Sequence, residues 1–294
     1  MGIILGLTGA VCWGIADFSA RFASRSVGAY RTLFYMQFFG FLALTIFLKA
    51  TGGFGHGIAP GWQPWALAVA AGVLNMASSL SLYHSFEVGV MSIVAPVSSS
   101  YPALTVALSL LSGERIGVLR GTGLAVTLAG VILAATSFAS AANETGSVPP
   151  DSAKARMAKG VIWAIFAALG FGVLFWFLGF YVVPAVGSGV SVWVMRITAI
   201  VSLLVVAVPT GQTVRMPSGN VWWLLAAVGL MDTAAFVANN EGLHVGPVSV
   251  VSVLASLYGA VTVVLSWIFL RERLERTQWL GIALIFAGII FVSI

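Results

Sequence analysis

The polar side chains most suited to chemistry in this sequence lie inside long apolar runs, where they recur at helical spacing. Asn75, Ser79 and Tyr83 are four residues apart and therefore share one face of a helix. Asp232 and Asn239 share a face of a later run in the same way. Polar groups in apolar surroundings cost free energy unless they meet water or a partner. These faces therefore indicate either a polar cavity or hydrogen bonds between neighbouring helices.

Aromatic residues could form the walls of such a cavity. Tyr101 and Tyr258 occupy matching positions of two runs, and Trp13 and Trp163 lie in the first and sixth runs. Aromatic walls with a few polar groups suit a small amphipathic solute. We therefore predict a substrate-binding cavity lined by Trp13, Asn75, Ser79, Tyr83, Tyr101, Trp163, Asp232, Asn239 and Tyr258.

Composition assigns the chain to the class of integral membrane proteins. Its 294 residues are 60% hydrophobic and 8% charged, against about 25% charged in a soluble domain, and the mean hydropathy is +1.03. We predict an all-α membrane protein with ten transmembrane helices, each about 20 residues long. The ten apolar runs lie roughly at residues 3–23, 30–49, 64–86, 90–112, 117–138, 159–180, 188–209, 220–241, 248–270 and 277–294.

Three ionisable residues inside these runs need an explanation. Arg196 is the only basic residue near the centre of a run, and Asp232 is its natural counter-ion. The two could form a structural ion pair, which we favour, or a zwitterion site in which Arg196 binds a carboxylate and Asp232 an ammonium. Asp17 lies four residues before Arg21, which predicts an ion pair at the membrane interface.

Several functions are excluded by motifs that the sequence lacks. It has no GxxxxGK[ST] loop for ATP, no HExxH metal motif and no GxSxG nucleophile elbow, and its three histidines are far apart. The net charge of +5 does not indicate nucleic-acid binding, because the basic residues lie at the ends of apolar runs, beside lipid headgroups. We therefore expect no cofactor, no metal, no catalytic residues and no nucleic-acid partner. The alternative is an intramembrane enzyme or lipid-handling protein that uses the same cavity.

The chain contains one folding unit twice. Tyr101 and Thr105 recur as Tyr258 and Thr262, 157 residues later, within a much longer match. Each half holds five runs, an odd number, so the second half must enter the membrane upside down. Such inverted repeats form a central site and are used for alternating access in secondary transporters. The predicted domains are a first repeat, a polar linker and a second repeat, at residues 1–138, 139–157 and 158–294.

The distribution of basic residues predicts the orientation. Ten Lys and Arg residues fall on the face that carries the linker, and only Lys49, Arg115 and Arg120 fall on the other. The positive-inside rule then places the linker in the cytoplasm and both termini outside. We expect a multi-pass protein of the bacterial inner (plasma) membrane that works as a monomer, since its two halves already form an internal pseudo-dimer.

Short motifs in both halves resemble the EamA repeats of the drug/metabolite transporter superfamily. They are Glu87-Val88-Gly89, Val94-Ala95-Pro96, Leu111-Ser112-Gly113-Glu114-Arg115, Arg271-Glu272-Arg273, Trp279-Leu280-Gly281 and Ala287-Gly288. The resemblance covers nearly the whole chain and implies a ten-helix carrier that exports amino acids or related metabolites. The resemblance suggests that the chain is a member of the branch that exports aromatic amino acids. The second half departs from the pattern at Gly246-Pro247 and Ser252-Val253, where Ala-Pro is expected.

Overall fold

The computed structural model describes residues 1–55, 60–89, 91–136, 150–217, 219–270 and 276–293, and these residues form helices joined by short turns. The helices are α1 Gly2–Val27, α2 Ala29–Thr51, α3 Gln63–Val88, α4 Met91–Ser98, α5 Pro102–Leu111, α6 Val118–Thr136, α7 Pro150–Phe177, α8 Val183–Val186, α9 Ser188–Thr210, α10 Val221–Val245, α11 Val248–Ala255, α12 Tyr258–Leu270 and α13 Arg276–Ser293. A π-helical turn at Leu178–Val182 joins α7 to α8.

These elements make ten membrane helices, as predicted, because three spans consist of two helical segments each: α4 with α5, α7 with α8, and α11 with α12. Within the described residues, seven spans are long and apolar enough to cross a membrane by length and composition. The remaining three contain shorter apolar helices, at Pro102–Leu111, Val118–Gly130 and Trp279–Gly288. The all-helical fold class is thus confirmed.

The linker region differs in part from the expectation. Helix α7 begins at Pro150, nine residues before the predicted sixth run, so the last residues of the 139–157 segment are helical. Proline is well suited to a first helical turn because its missing N–H would have no partner there. Residues 137–149 lie outside the described residues, as do residues 271–275, which include the Arg271-Glu272-Arg273 motif. The domain boundaries remain predictions.

The two halves pack in a symmetric, interlocked manner. Helix α1 packs along α10, and its repeat counterpart α7 packs along α3. Gly2 at the start of α1 lies beside Gly242 near the end of α10, and Gly160 in α7 lies beside Gly89 after the end of α3. Both pairs are therefore antiparallel. The spans that contain α7 and α10 are the sixth and the eighth, so these two helices run in the same direction. Because α1 is antiparallel to α10, α1 and α7 run in opposite directions, as an inverted repeat requires.

Glycines permit the closest contacts between the halves. A Cβ atom at Gly14 would lie 2.5 Å from the Val261 side chain, and one at Gly172 would lie 2.8 Å from Leu104. The two contacts are related by the repeat, because Gly172 follows Gly14 by 158 residues and Val261 follows Leu104 by 157. Small residues thus bring α1 onto α12 and α7 onto α5, as is common between membrane helices.

Two spans are broken near their middle, at Ser99–Tyr101 between α4 and α5 and at Ser256–Leu257 between α11 and α12. The break in the second half occurs without a proline, whereas Pro102 begins α5. Both breaks place a tyrosine at or next to the start of the second segment, Tyr101 before α5 and Tyr258 at the start of α12. These tyrosines meet where the two halves cross.

Candidate functional site

A small cavity lies at the crossing of the two halves. Its wall is mostly aromatic and carries two carboxylates; it consists of Trp13, Asp17, Ser79, Leu82, Tyr83, Tyr101, Phe171, Phe175, Asp232, Phe236 and Tyr258. The free volume in this conformation is ≈ 30 Å³, which is room for one or two water molecules. A bound metabolite needs a pocket of about 300 Å³ or more, so the surrounding helices must separate when a solute enters.

The wall is symmetric in position and asymmetric in chemistry. At offsets of 157 or 158 residues, Tyr101 corresponds to Tyr258, whereas Asp17 corresponds to Phe175 and Ser79 to Phe236. Trp13 corresponds in the same way to Phe171. The first half therefore supplies polar groups at positions where the second half supplies phenylalanine.

A buried ion pair borders the cavity. Arg196 is 1% exposed and donates from Nη2 to Asp232 Oδ2 at 2.5 Å and from Nη1 to Gln37 Oε1 at 2.7 Å. The Trp13 indole N–H donates to the other oxygen of Asp232, Oδ1, at 3.0 Å. The guanidinium also lies over the Phe236 ring, 5.2 Å from its centroid. This geometry agrees with the structural reading of the Arg196–Asp232 pair.

Asp17 lies in a different place from the expected membrane interface. Its side chain lines the cavity, and the residue is 5% exposed. It forms no hydrogen bond or ion pair with any of the residues that the structure describes. The spacing to Arg21 was a poor guide because Asp17 is also four residues after Trp13, which places it on the cavity face of α1.

The three tyrosines of the wall are fixed by hydrogen bonds that point away from the cavity. Tyr101 donates to the Ser252 carbonyl at 3.1 Å, and Tyr258 donates to Ser98 Oγ at 3.1 Å. Tyr83 donates to the Met36 sulfur at 2.7 Å. The Tyr101 and Tyr258 rings stack across the two halves, with centroids 6.4 Å apart and an interplanar angle of 13°.

Six of the nine predicted site residues line this cavity: Trp13, Ser79, Tyr83, Tyr101, Asp232 and Tyr258. Asn75 and Asn239 lie outside the wall, 1% and 0% exposed and buried between helices. Trp163 is 40% exposed and forms a T-shaped contact with His84, with ring centroids 5.2 Å apart, in another cleft. Trp163 was chosen only because it lies in the sixth run, and that criterion does not specify a helix face.

The wall residues that the prediction missed are Asp17, Leu82, Phe171, Phe175 and Phe236. The repeat could have identified Phe171, because it lies 158 residues after Trp13 and occupies the equivalent position of α7. Phe175 follows one turn later on the same face. The symmetry of the repeat was therefore a better guide to the wall than residue type.

Two larger clefts flank the cavity at opposite ends of the helices. One has a volume of ≈ 510 Å³ and contains Arg31, His84, Glu87 and Trp163. The other has a volume of ≈ 680 Å³, and of the described residues that line it Glu241 alone is charged. Gly28 in the first cleft and Gly187 in the second are equivalent by the repeat. The clefts are thus repeat-related openings on the two sides of the molecule.

Ten helices in two inverted repeats around a central cavity define a multi-pass membrane transporter. The family model of the EamA-like transporter family matches residues 1–136 and 158–294, so the chain belongs to this family. Membership in a transporter family also decides against the enzyme alternative.

Similar proteins support this assignment and add no substrate. An uncharacterized protein of Methanocaldococcus jannaschii is 32% identical over 136 residues, 46% of this chain and 96% of that protein. An "uncharacterized transporter in cobO 3'region" of a Sinorhizobium species is 27% identical over 115 residues, 38% of this chain and 81% of that protein. Each of these relatives has about the length of one repeat.

A solved structure described only as "Crystal structure of protein" shares the fold. It aligns with a TM-score of 0.75 at 18% identity and covers 99% of this chain and 95% of its own. None of these matches points to the aromatic amino-acid exporter branch or to a bacterial inner membrane.

Proposed function

We propose that the chain exports small amphipathic metabolites, such as aromatic or apolar amino acids, by alternating access through the central cavity. The observation that carries the proposal is the cavity itself, whose wall combines seven aromatic rings with two carboxylates and is built from both repeats. Rings bury the apolar part of a solute, and a few polar groups select its orientation. Binding of the solute at the crossing of the halves is what alternating access requires.

The two flanking clefts support the same mechanism. They open at opposite ends and are related by the repeat, so rocking of one half against the other can exchange which cleft reaches the cavity. The small volume of the cavity fits a conformation in which the wall is closed around the centre. Transport driven by a gradient of the solute or of an ion then needs no nucleotide.

The test is counterflow in vesicles that contain the purified chain and no ATP. Vesicles are loaded with a panel of aromatic, apolar and polar amino acids and related amphipathic metabolites, and uptake of trace labelled solute is measured. We expect accelerated uptake for aromatic or apolar solutes and none for small polar amino acids such as serine. The proposal is wrong if no solute of the panel exchanges, or if transport requires ATP.

A further inference from the structure

We propose that Asp17 is the cation-binding carboxylate of the central cavity and that it exchanges one proton for the ammonium group of an amphipathic amine. This inference rests on the proposed function, and it narrows the solute class to aromatic or apolar monoamines. It also gives the transporter a coupling ion, the proton.

The first argument is the isolation of Asp17 in the wall. The residue is 5% exposed and lines the cavity. It has no hydrogen-bond or ion-pair partner among the described residues, and its neighbours in the wall are largely aromatic. A carboxylate in such surroundings is costly to leave charged and alone, so it either holds a proton or binds a cation.

The second argument is that the other acid of the wall is already neutralised. Asp232 is paired with Arg196 and accepts from Trp13, and Arg196 is also engaged by Gln37. The ion pair contributes no net charge, so Asp17 alone sets the net charge of the part of the wall that the structure describes. A cavity whose net charge is negative attracts a cation more strongly than a zwitterion.

The titratable groups around Asp17 do not offer it a cation inside the cavity. On the helices packed around α1, the titratable residues that line the cavity are Asp232 on α10, Tyr83 on α3 and Tyr258 on α12. Tyr101, next to α5, also lines it, and Arg196 on α9 borders it through Asp232. The other titratable residues of α3 and α10 lie outside the wall, and α11 has none; they are His84, Glu87, Glu241 and His244. Arg21 is one turn further along α1 and does not line the cavity. The titratable residues of α2 also lie outside the wall; they are Tyr30, Arg31, Tyr35 and Lys49.

The third argument is a shortage of hydrogen-bond donors for a carboxylate. Among the described residues the wall contains no Lys, Arg or His, and the hydroxyls of its three tyrosines and the Trp13 indole donate elsewhere. The broken span offers no substitute, since the N–H groups of Ser99 and Tyr101 are bonded to Ala95 and Ser98 carbonyls at 2.9 and 3.4 Å. In the wall, the Ser79 hydroxyl is the one donor without a hydrogen bond to a described residue. A carboxylate on the solute would therefore lose its water without adequate replacement.

The remaining wall suits an ammonium group and its apolar part. Phe171, Phe175 and Phe236 line the same wall as Asp17. Aromatic faces attract cations, and Arg196 over Phe236 already shows this contact at the edge of the cavity. An alkyl or aryl amine can place its ammonium at Asp17 and its body among these rings.

Exchange follows from the fact that Asp17 can hold only one of two cations. An ammonium enters from one side and binds the carboxylate as the proton leaves to water. After the halves rock, the ammonium leaves on the other side and the carboxyl group takes a proton from water there. One monovalent amine and one proton cross in opposite directions, so no net charge moves.

The experiment uses four compounds with one phenyl-alkyl skeleton: phenethylamine, phenylalanine, 3-phenylpropanoate and 3-phenylpropanol. Binding to the purified chain in detergent is measured by calorimetry, and proton release is measured with a pH dye in weak buffer. We expect phenethylamine to bind about tenfold or more tightly than the other three. Its binding should release protons, and its affinity should rise with pH over the range in which release occurs.

Asp17→Asn should abolish proton release and weaken phenethylamine binding about tenfold or more, while removing most of the preference over 3-phenylpropanol. Asp17→Glu keeps a carboxylate, so it should retain part of the proton release and part of the affinity for phenethylamine. Glu144→Gln, which removes an acid of the predicted polar linker, is the matched control and should behave as the wild type. The wild-type ligand series tests the idea even if Asp17→Asn fails to fold.

The inference falls if phenylalanine or 3-phenylpropanol binds as tightly as phenethylamine, or if amine binding releases no proton. The same series in vesicle counterflow separates the two proposals. Exchange of phenylalanine without preference for the amine leaves the transporter proposal standing and removes the role of Asp17. Absence of binding and exchange for all four compounds overturns both.

Discussion

Single residues decide the electrostatics of this cavity, and the Arg196–Asp232 pair is the clearest case. Asp232→Asn leaves the Arg196 charge buried without its counter-ion, with neutral amide groups as its hydrogen-bond partners. Breaking a buried pair in this way costs about 3–5 kcal/mol of the free energy of unfolding. We expect a clear fall in the melting temperature in detergent, measured by intrinsic fluorescence.

The double variant Arg196→Gln/Asp232→Asn should recover part of that loss, because both charges are then removed together. The comparison of the double variant with the two single variants measures the coupling between the side chains. Additive effects would contradict a direct ion pair, whatever their size.

The stacked tyrosines allow a second prediction at this scale. Tyr101→Ala and Tyr258→Ala each remove a ring contact and a buried hydrogen bond, a loss of about 1–3 kcal/mol, or about ten- to a hundredfold in affinity. Counterflow in vesicles should fall accordingly while expression and monodispersity are kept. Trp279→Ala is the control, since this tryptophan is 51% exposed and lies outside the cavity wall. Normal transport by both Tyr variants would show that Tyr101 and Tyr258 do not belong to the binding site.

Helical elements meet most closely at glycines, and this contact can be tested in both halves. Gly14→Ala and Gly172→Ala place a Cβ atom 2.5 Å from Val261 and 2.8 Å from Leu104, and such overpacking costs about 1–3 kcal/mol. Gly121→Ala is the matched control, because a Cβ there meets open space and alanine favours the helix by up to about 1 kcal/mol. Melting temperatures should fall for the first two variants and hold or rise for the third.

The short helix α11 depends on a residue from the other half. Glu114 Oε1 accepts from Ser249 Oγ at 2.7 Å, and its carboxylate also accepts from the Ser249 N–H at 3.3 Å. This carboxylate satisfies a free N–H at the start of α11 and sits at the positive end of that helix. The Glu114 of the family motif therefore joins the two repeats.

We expect Glu114→Ala to lower the free energy of unfolding by about 0.5–2 kcal/mol, the usual cost of a lost helix cap. Ser249→Ala should add little on the Glu114→Ala background, because both remove the same contact. Fully additive melting shifts would show that the two residues act separately.

The elements also show what the sequence could and could not predict. Span number, helical class and inverted repeat follow from apolar runs and internal similarity, which are properties of the chain itself. The positions of Asn75, Asn239 and Trp163 depend on which face of a helix meets a partner from the other half. Polarity does not carry that information, because a buried Asn between helices and a polar cavity residue have the same local pattern.

The register of the repeat gives more information on which helix face lines the cavity, as Phe171 shows. Asp17 was misplaced for a related reason: a nearby Arg at helical spacing satisfied a local rule, while tertiary packing turned the carboxylate inward. The sites at which local rules fail are those at which the two halves meet.

At the scale of the whole molecule, the inverted repeat places the two clefts on opposite sides of one cavity. Ser81 lines the first cleft, and Ala238, 157 residues later, lines the second. Both side chains are partly exposed, so a cysteine at either position can react with a thiol reagent. If the repeats are inverted, the two positions face opposite aqueous compartments.

On a Cys12→Ser background, Ser81→Cys and Ala238→Cys should therefore be labelled by a membrane-impermeant maleimide from opposite sides of oriented vesicles. The positive-inside distribution predicts that Ser81→Cys reacts from the cytoplasmic side, because its cleft lies at the end that bears most of the basic residues. If Ser81→Cys reacts from outside and Ala238→Cys from the cytoplasm, the predicted orientation is wrong but the inverted repeat still holds. The inverted repeat requires only that the two cysteines react from different sides. Labelling of both positions from one side would contradict the inverted repeat, and with it the access of a single cavity to two compartments.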